Sequence, residues 1–520
     1  LPSPSFLFSV VGIFGQRWRL FSSAGRSALS LSHFPALVAA TNSAVGQGFR
    51  GSSRSSVPRI MLTCEDTNDV DEKLVPKLKP PLSDRIHKPR DSLLSGTRGW
   101  TNYRGLLNFC IILLVLSNGR VALENLLKYG ILVDPGKWVR YMLLDPGVWP
   151  PLYILAGLNL CILCALGVEK LLSTGMLSEG IARHIQVLNL SSILLLPPVV
   201  VFTYECNPVA SSMALGFVTM LFLKLVSYHM VNLWCRQQRA SHKHHKRRSS
   251  SGNDKSLLQP VDNGRCTTQT VSYPDNLNLY DIYYFMFVPT LCYELNFPRS
   301  SRIRKRFLFR RFIESLLLFQ LILALAQQWI VPIMQNSLKP FQEMNFPAML
   351  ERLLKLAVPN ILIWLVMFYW FFHSTLNTLA ELMRFADREF YKDWWNAETV
   401  QYFWQNWNIP VHQWCLRHLY KPLVAAGMSR SRACVMVFLL SAFFHEYLVS
   451  VPLKMFRVWA FFGMLAQVPF AFFIDNCLRN RYRNLGNMAV WMSLMIGQPL
   501  AILMYYHDYY IINYGTPRAT

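Results

Sequence analysis

Charge is scarce in this chain. Only 16% of its 520 residues are Asp, Glu, Lys or Arg, while 52% are hydrophobic, a balance too apolar for an ordinary soluble domain. Acid is scarcer still, with no Asp or Glu in residues 1–64. No Gly-x-x-x-x-Gly-Lys-Ser/Thr loop and no His-Glu-x-x-His helix occurs, which removes P-loop nucleotide chemistry and the common zinc-peptidase pattern. The eleven cysteines follow no extracellular framework spacing, so they read as reduced thiols. The single Cys-x-x-Cys, Cys161 and Cys164, lies inside an apolar block with no second pair nearby. No metal site is expected there.

What the chain has in quantity is long apolar runs, of about 17 to 25 residues, enough to cross roughly 30 Å of hydrocarbon at 1.5 Å per residue. The reading is an all-α polytopic membrane protein with about nine spans, near 105–123, 150–168, 184–204, 211–233, 313–334, 356–376, 432–452, 458–476 and 488–506. The third carries Pro197-Pro198, expected to kink or break it. Residues 1–100 form a disordered cytosolic tail and residues 101–520 the membrane-embedded domain. Within the tail, an Arg- and Ser-rich start resembles a transit peptide. The preferred reading makes residues 1–60 an upstream extension, with Met61 the natural start.

The formal net charge of +23 suggests nucleic acid at first sight, but the basic residues cluster between apolar blocks, as loops beside anionic leaflets do. No nucleic-acid partner is expected. One cluster, Arg236 to Arg248, follows span four; a second, Arg302 to Arg311, precedes span five. Both belong in the cytosol by the positive-inside rule. That places the N-terminus in the cytosol and, after nine spans, the C-terminus in the lumen. Arg479, Arg481 and Arg483 then fall on the cytosolic side without having been used to set it.

Residues 377–431 do not read as a span. Trp, Tyr and Phe alternate there with charge, which suggests amphipathic helices on the cytosolic interface. A plain anchor belt is the competing reading.

The sharpest candidate for chemistry is His445, deep in span seven, because ionisable groups at bilayer depth are costly and usually face a cavity or partner. Glu446 is adjacent, but neighbouring helix positions point about 100° apart, so the two do not form a same-helix dyad. Ser441 lies one turn earlier on the face of His445; it reads as a nucleophile, a packing residue or a substrate contact. Gln467 and Gln498 add polar groups in spans eight and nine, which with His445 can share one cavity or make interhelical hydrogen bonds. Asn189 and Lys224 are polar at depth too, the lysine near enough to a span end to snorkel.

At Phe390-Tyr391-Lys392-Asp393-Trp394-Trp395-Asn396, followed by His445, the chain resembles the membrane-bound O-acyltransferase superfamily. The stretches Asn102–Gly105, Lys128–Asp134, Thr290–Arg299, Trp404–Asn408 and His507–Tyr510 resemble its type-one diacylglycerol acyltransferase branch, and the resemblance covers about residues 100 to 515. It implies an endoplasmic reticulum enzyme that moves a fatty acyl group from acyl-CoA to diacylglycerol, forming triacylglycerol. Membrane lipid surrounds such an enzyme, acyl-CoA is its substrate and no cofactor resides in it; a homo-oligomer, dimer or tetramer, is implied as well. By the same resemblance His445 is the catalytic base, and Trp404, Gln405, Asn406, Trp407 and Asn408 with His412 and Tyr420 contact acyl-CoA. Asn408 and Gln467 lie near the thioester, and Glu446 matters for activity. A family arginine falls on Cys434 here, with Arg430 and Arg432 nearby, so the cation that meets the CoA phosphates stays open. A sterol acceptor and, in another class, a membrane transporter are the alternatives.

Overall fold

The computed structural model describes residues 104–249, 271–477 and 483–514. The N-terminal tail readings, Arg479 and Arg481 therefore lie outside the described residues. Among the described residues there is no β-strand, only an isolated bridge between Arg299 and Phe385, as the all-α reading expects. From Ser117 onward they belong to one compact unit.

Among the described residues eight helical stretches are long and apolar enough to cross a membrane: Phe109–Tyr129, Pro146–Thr174, Glu179–Thr203, Pro208–Ser241, Lys305–Gln342, Phe346–Leu382, Arg430–Ser450 and Asn484–Asn513. They correspond to eight of the nine expected spans. The ninth, expected at 458–476, is a shorter apolar stretch, Trp459–Ile474, interrupted at Ala466. Proline explains the break. Pro469 has no N–H for the Leu465 carbonyl four residues earlier, and its ring clashes with that carbonyl.

The first long helix, α1 (Arg104–Tyr129), is followed by three that pack together, α2 (Trp149–Thr174), α3 (Glu179–Thr203) and α4 (Pro208–Ser249). The α2–α3 turn is written locally. Gly175 closes α2 at φ 76°, where a side chain would be strained, and Ser178 caps α3. At their shared end the fully buried Glu169 accepts from Gln186 at 2.9 Å, meets His229 Nδ1 at 2.8 Å and pairs with Arg236. Arg236, taken from sequence as a loop cation, is thus a packed helix residue.

The Pro197-Pro198 pair does not break α3. Pro198 leaves the Leu194 carbonyl without its helical donor, and the Tyr447 hydroxyl donates to that carbonyl at 3.1 Å, the re-satisfaction a buried helix needs. Lys224 does not snorkel either. It is buried in α4 and its Nζ donates to the carbonyls of Phe285, Met286 and Val288, each at 2.8 Å. It thereby closes the C-terminus of α5 (Leu279–Phe287), where a cation complements the helix dipole.

Two long stretches follow. α6 (Lys305–Leu325) continues through a π turn at Ala326–Ile330 to Gln342, and α7 (Phe346–Phe368) through a π turn at Tyr369–Thr375 to Leu382. Then come the short α8 (Val400–Asn406) and α9 (Ile409–Trp414). α10 (Arg430–Ser450), α11 (Trp459–Leu465), α12 (Gln467–Cys477) and α13 (Arg483–Tyr514) complete the order. In the 377–431 segment Phe390, Trp394, Phe403 and Trp414 are buried. An anchor belt would leave such rings on the surface; only Trp395 and Tyr402 of the motif region are exposed there.

Candidate active site

α10 starts just after Ser429, whose hydroxyl accepts from Arg432 Nε at 3.1 Å. Along it Ala442, Phe444, Glu446, Tyr447 and Ser450 are buried. His445 is different. It is the one exposed residue in the run from Ala442 to Tyr447. Nδ1 lies 2.8 Å from the Ser441 carbonyl oxygen. A carbonyl can only accept, so Nδ1 carries the proton and the Nε2 lone pair is the one available as a base. The Ser441 hydroxyl is 3.5 Å from the same Nδ1, too long for a useful hydrogen bond, and that nitrogen is already a donor. The structure therefore gives no activated Ser441–His445 nucleophile pair.

Glu446 does not meet His445. Its carboxylate accepts from the Val458 N–H at 2.9 Å, the Phe461 N–H at 3.1 Å, the Tyr505 hydroxyl at 2.6 Å and the Ser450 hydroxyl. Two of those donors are backbone groups at the start of α11. Glu446 is thus an N-cap supplied by another helix, tying α10, α11 and α13 together beside His445. Its oxygens are occupied by four donors, which favours a positioning role for the activity that the family resemblance implies.

Phe438, Ser441 and His445 are spaced three and four apart and share one face of α10. Trp404 of α8 stands edge-on to Phe438, with ring centroids 6.3 Å apart and planes at 88°. The aromatic segment is thereby brought to the histidine's face, about 10 Å along the axis from it. Asn408 is the N-cap of α9, its Oδ1 accepting from the Val411 N–H at 3.3 Å. With the oxygen so used, its Nδ2 presents a donor. Gln405, His412 and Tyr420 are half-buried on the same stretch, and burial lowers the His412 pKa. Gln467 is the first residue of α12, directly after the helix break. Arg430 is the first residue of α10 and exposed, about 22 Å along the axis from His445.

Other candidates have structural partners. Gln498 accepts from Asn360 Nδ2 at 3.2 Å, an interhelical bond between α13 and α7. Asn189 donates to the Cys161 carbonyl at 3.0 Å. Asn406 is buried and turns back on the Tyr402 carbonyl at 2.8 Å. Trp407 stacks on Trp364 at 5.8 Å and 24°, which is core packing.

The Phe390–Asn396 motif is a structural joint. Phe390 and Trp394 sit in an aromatic core with Phe368, Phe372 and Phe403, and Tyr391 bonds His373 Nδ1 at 2.9 Å. Asp393 accepts from Tyr402 at 2.7 Å and Asn396 at 3.3 Å. The carbonyl of Trp395 takes donors from Asn487 at 3.1 Å and Trp491 at 3.2 Å on α13. Gly486 has to be glycine, because a Cβ there would lie 2.3 Å from the Glu398 carbonyl oxygen. Sequence reasoning missed these supports, along with Phe438, Tyr447 and Tyr505. Their signal is only spatial.

A buried histidine close to the segment has another role. His418 Nε2 is 2.8 Å from the Ser227 hydroxyl, and that oxygen accepts the Tyr293 N–H at 2.8 Å. His418 is neutral there, its pKa pushed down to about 3 by burial and then by Arg417. No group of three or more potential metal ligands gathers among the described residues.

Residues 184–507 match the model of the membrane-bound O-acyltransferase family. The chain belongs to that family. It is 55% identical over 436 residues to diacylglycerol O-acyltransferase 1 of Bos taurus, covering 84% of this chain and 87% of the relative. To the protein of that name from Homo sapiens it is 56% identical, over 84% and 86%. Diacylglycerol O-acyltransferase 1A of Glycine max is 39% identical over 78% of each chain. The chain is accordingly a multi-pass membrane protein.

Proposed function

We propose that this chain transfers a fatty acyl group from acyl-CoA to the hydroxyl of diacylglycerol, with His445 as general base. The reaction is that of relatives more than half identical over most of the chain. The observation that supports the residue assignment is the exposed His445, whose Nδ1 is tied to the Ser441 carbonyl and whose Nε2 lone pair is left as the base.

In this reading Nε2 takes the proton of the diacylglycerol hydroxyl as its oxygen attacks the thioester carbonyl, a step worth roughly 10²–10⁴ in rate. The C–O bond forms, the C–S bond breaks, and the imidazolium returns its proton to the departing thiolate. Nδ2 of Asn408 and the amide of Gln467 are the donors for negative charge on the carbonyl oxygen. Arg430 and Arg432 meet the CoA phosphates, while Trp404, Gln405, His412 and Tyr420 line the arm between. Glu446 holds α10 and α11 in register.

The proposed setting is the endoplasmic reticulum membrane, with the N-terminus and the 377–431 segment cytosolic, the broken apolar stretch Trp459–Ile474 completing a ninth crossing that leaves the C-terminus lumenal, and a homo-oligomeric assembly. Basic residues around Arg302–Arg311 support that orientation. The test is product analysis of purified protein given labelled oleoyl-CoA with diacylglycerol or cholesterol. Labelled triacylglycerol supports the reading; a preference for cholesterol ester overturns the acceptor.

A further inference from the structure

Beside the start of α6 the surface sinks into a cavity of about 400 Å³ lined by Ser300, Ser301, Arg302, Arg304, Ala386 and Arg388. Three of these six side chains are guanidinium groups and none is acidic. Two of the arginines are fixed from behind. The fully buried Glu381 receives Arg304 at 2.9 Å and Arg388 at 2.5 Å, and it also accepts the Arg304 backbone N–H. One carboxylate between two arginines leaves a net positive charge. Arg302 has no ion pair among the described residues and adds another.

One further feature belongs to the same lining. The Ser300 hydroxyl is buried without a hydrogen-bond partner, a cost of about 1–3 kcal/mol unless something binds there. Fixed guanidinium forks with an unpaired hydroxyl among them are the recognition chemistry of a phosphoryl group.

We propose that this cavity binds the phosphorylated headgroup of an anionic membrane phospholipid, a phosphoinositide being the class it fits. Its volume is in the range of small-ligand sites. Its place argues for a lipid. α6 opens the membrane-crossing stretch Lys305–Gln342, and Phe309, Phe312 and Leu316 are exposed along its next turns, offering acyl chains an apolar track beneath a basic pocket.

The test is native mass spectrometry of the full chain purified in detergent and titrated with dioctanoyl phosphatidylinositol 4-phosphate, dioctanoyl phosphatidylcholine and free inositol 1,4-bisphosphate. The phosphoinositide is expected to bind well above phosphatidylcholine and above the soluble inositol phosphate. Arg302→Gln and Ser300→Ala should each weaken it about tenfold, the loss of one charge-assisted contact, without lowering the unfolding temperature. Equal binding of phosphatidylcholine, or unchanged phosphoinositide binding by folded Arg302→Gln, overturns the site. Equally tight binding of the soluble inositol phosphate overturns the lipid source. Displacement of the phosphoinositide by free CoA would assign the cavity to the acyl donor instead.

Discussion

The Tyr447 hydroxyl donates to the Leu194 carbonyl at 3.1 Å, the carbonyl that Pro198 deprives of its helical donor, so the helix bearing His445 is fastened to the helix bearing the double proline. Tyr447→Phe keeps the ring and removes the bond. It should lower the unfolding temperature in detergent, by a stability loss on the order of 1 kcal/mol. An unchanged unfolding temperature would mean the carbonyl is served otherwise.

Glu446→Ala strands four donors at one place, two of them backbone groups of α11. The variant should lose several kcal/mol of stability, at about 1–3 kcal/mol per unmet buried group, and lose activity with it. Glu446→Gln keeps acceptor capacity at one oxygen and should retain part of both. A Glu446→Ala protein as stable as wild type but inactive would return Glu446 to the chemistry.

His418 gives the fold a pH dependence of known sign. Its folded pKa of about 3 lies below the ordinary value of about 6.5, so the folded chain resists protonation. That contribution is fully present above about pH 6.5 and is lost progressively as pH falls toward about 3. His418→Phe preserves stacking on Trp234, now at 5.6 Å and 11°, and removes the titration. Between pH 7.5 and 5 its unfolding temperature should fall less than that of wild type; parallel declines would contradict the burial argument.

Arg430 and Arg432 lie at the far end of α10 from His445, beyond reach of the thioester. Reversing both to Glu should raise the KM for acyl-CoA more than it lowers kcat, because such contacts bind ground and transition states alike. The diacylglycerol dependence should barely change. A pure loss of kcat would place them near the reaction.

Apolar run length made eight long helices legible from sequence, and depth in a span singled out His445. What stayed hidden depended on backbone groups that hydropathy does not see. Pro469 sits in an apolar run that reads as continuous, yet its missing N–H divides the stretch into α11 and α12. Pro197 and Pro198 were given the opposite weight, because the remedy sits 253 residues away at Tyr447. Lys224 looked like a snorkelling cation, since its three carbonyl partners come from a helix end 61 to 64 residues downstream. In the 377–431 segment, composition alone suggested a surface, whereas partner rings from α7 and α13 make much of it a core.

The base assignment is tested most directly by comparing wild type and His445→Ala, purified in detergent, with saturating labelled oleoyl-CoA and diacylglycerol. Alanine suits a helix and a span, so the variant should express, insert and unfold much as wild type does while forming no labelled triacylglycerol above background. Equal rates of triacylglycerol formation in the two proteins would contradict His445 as the base.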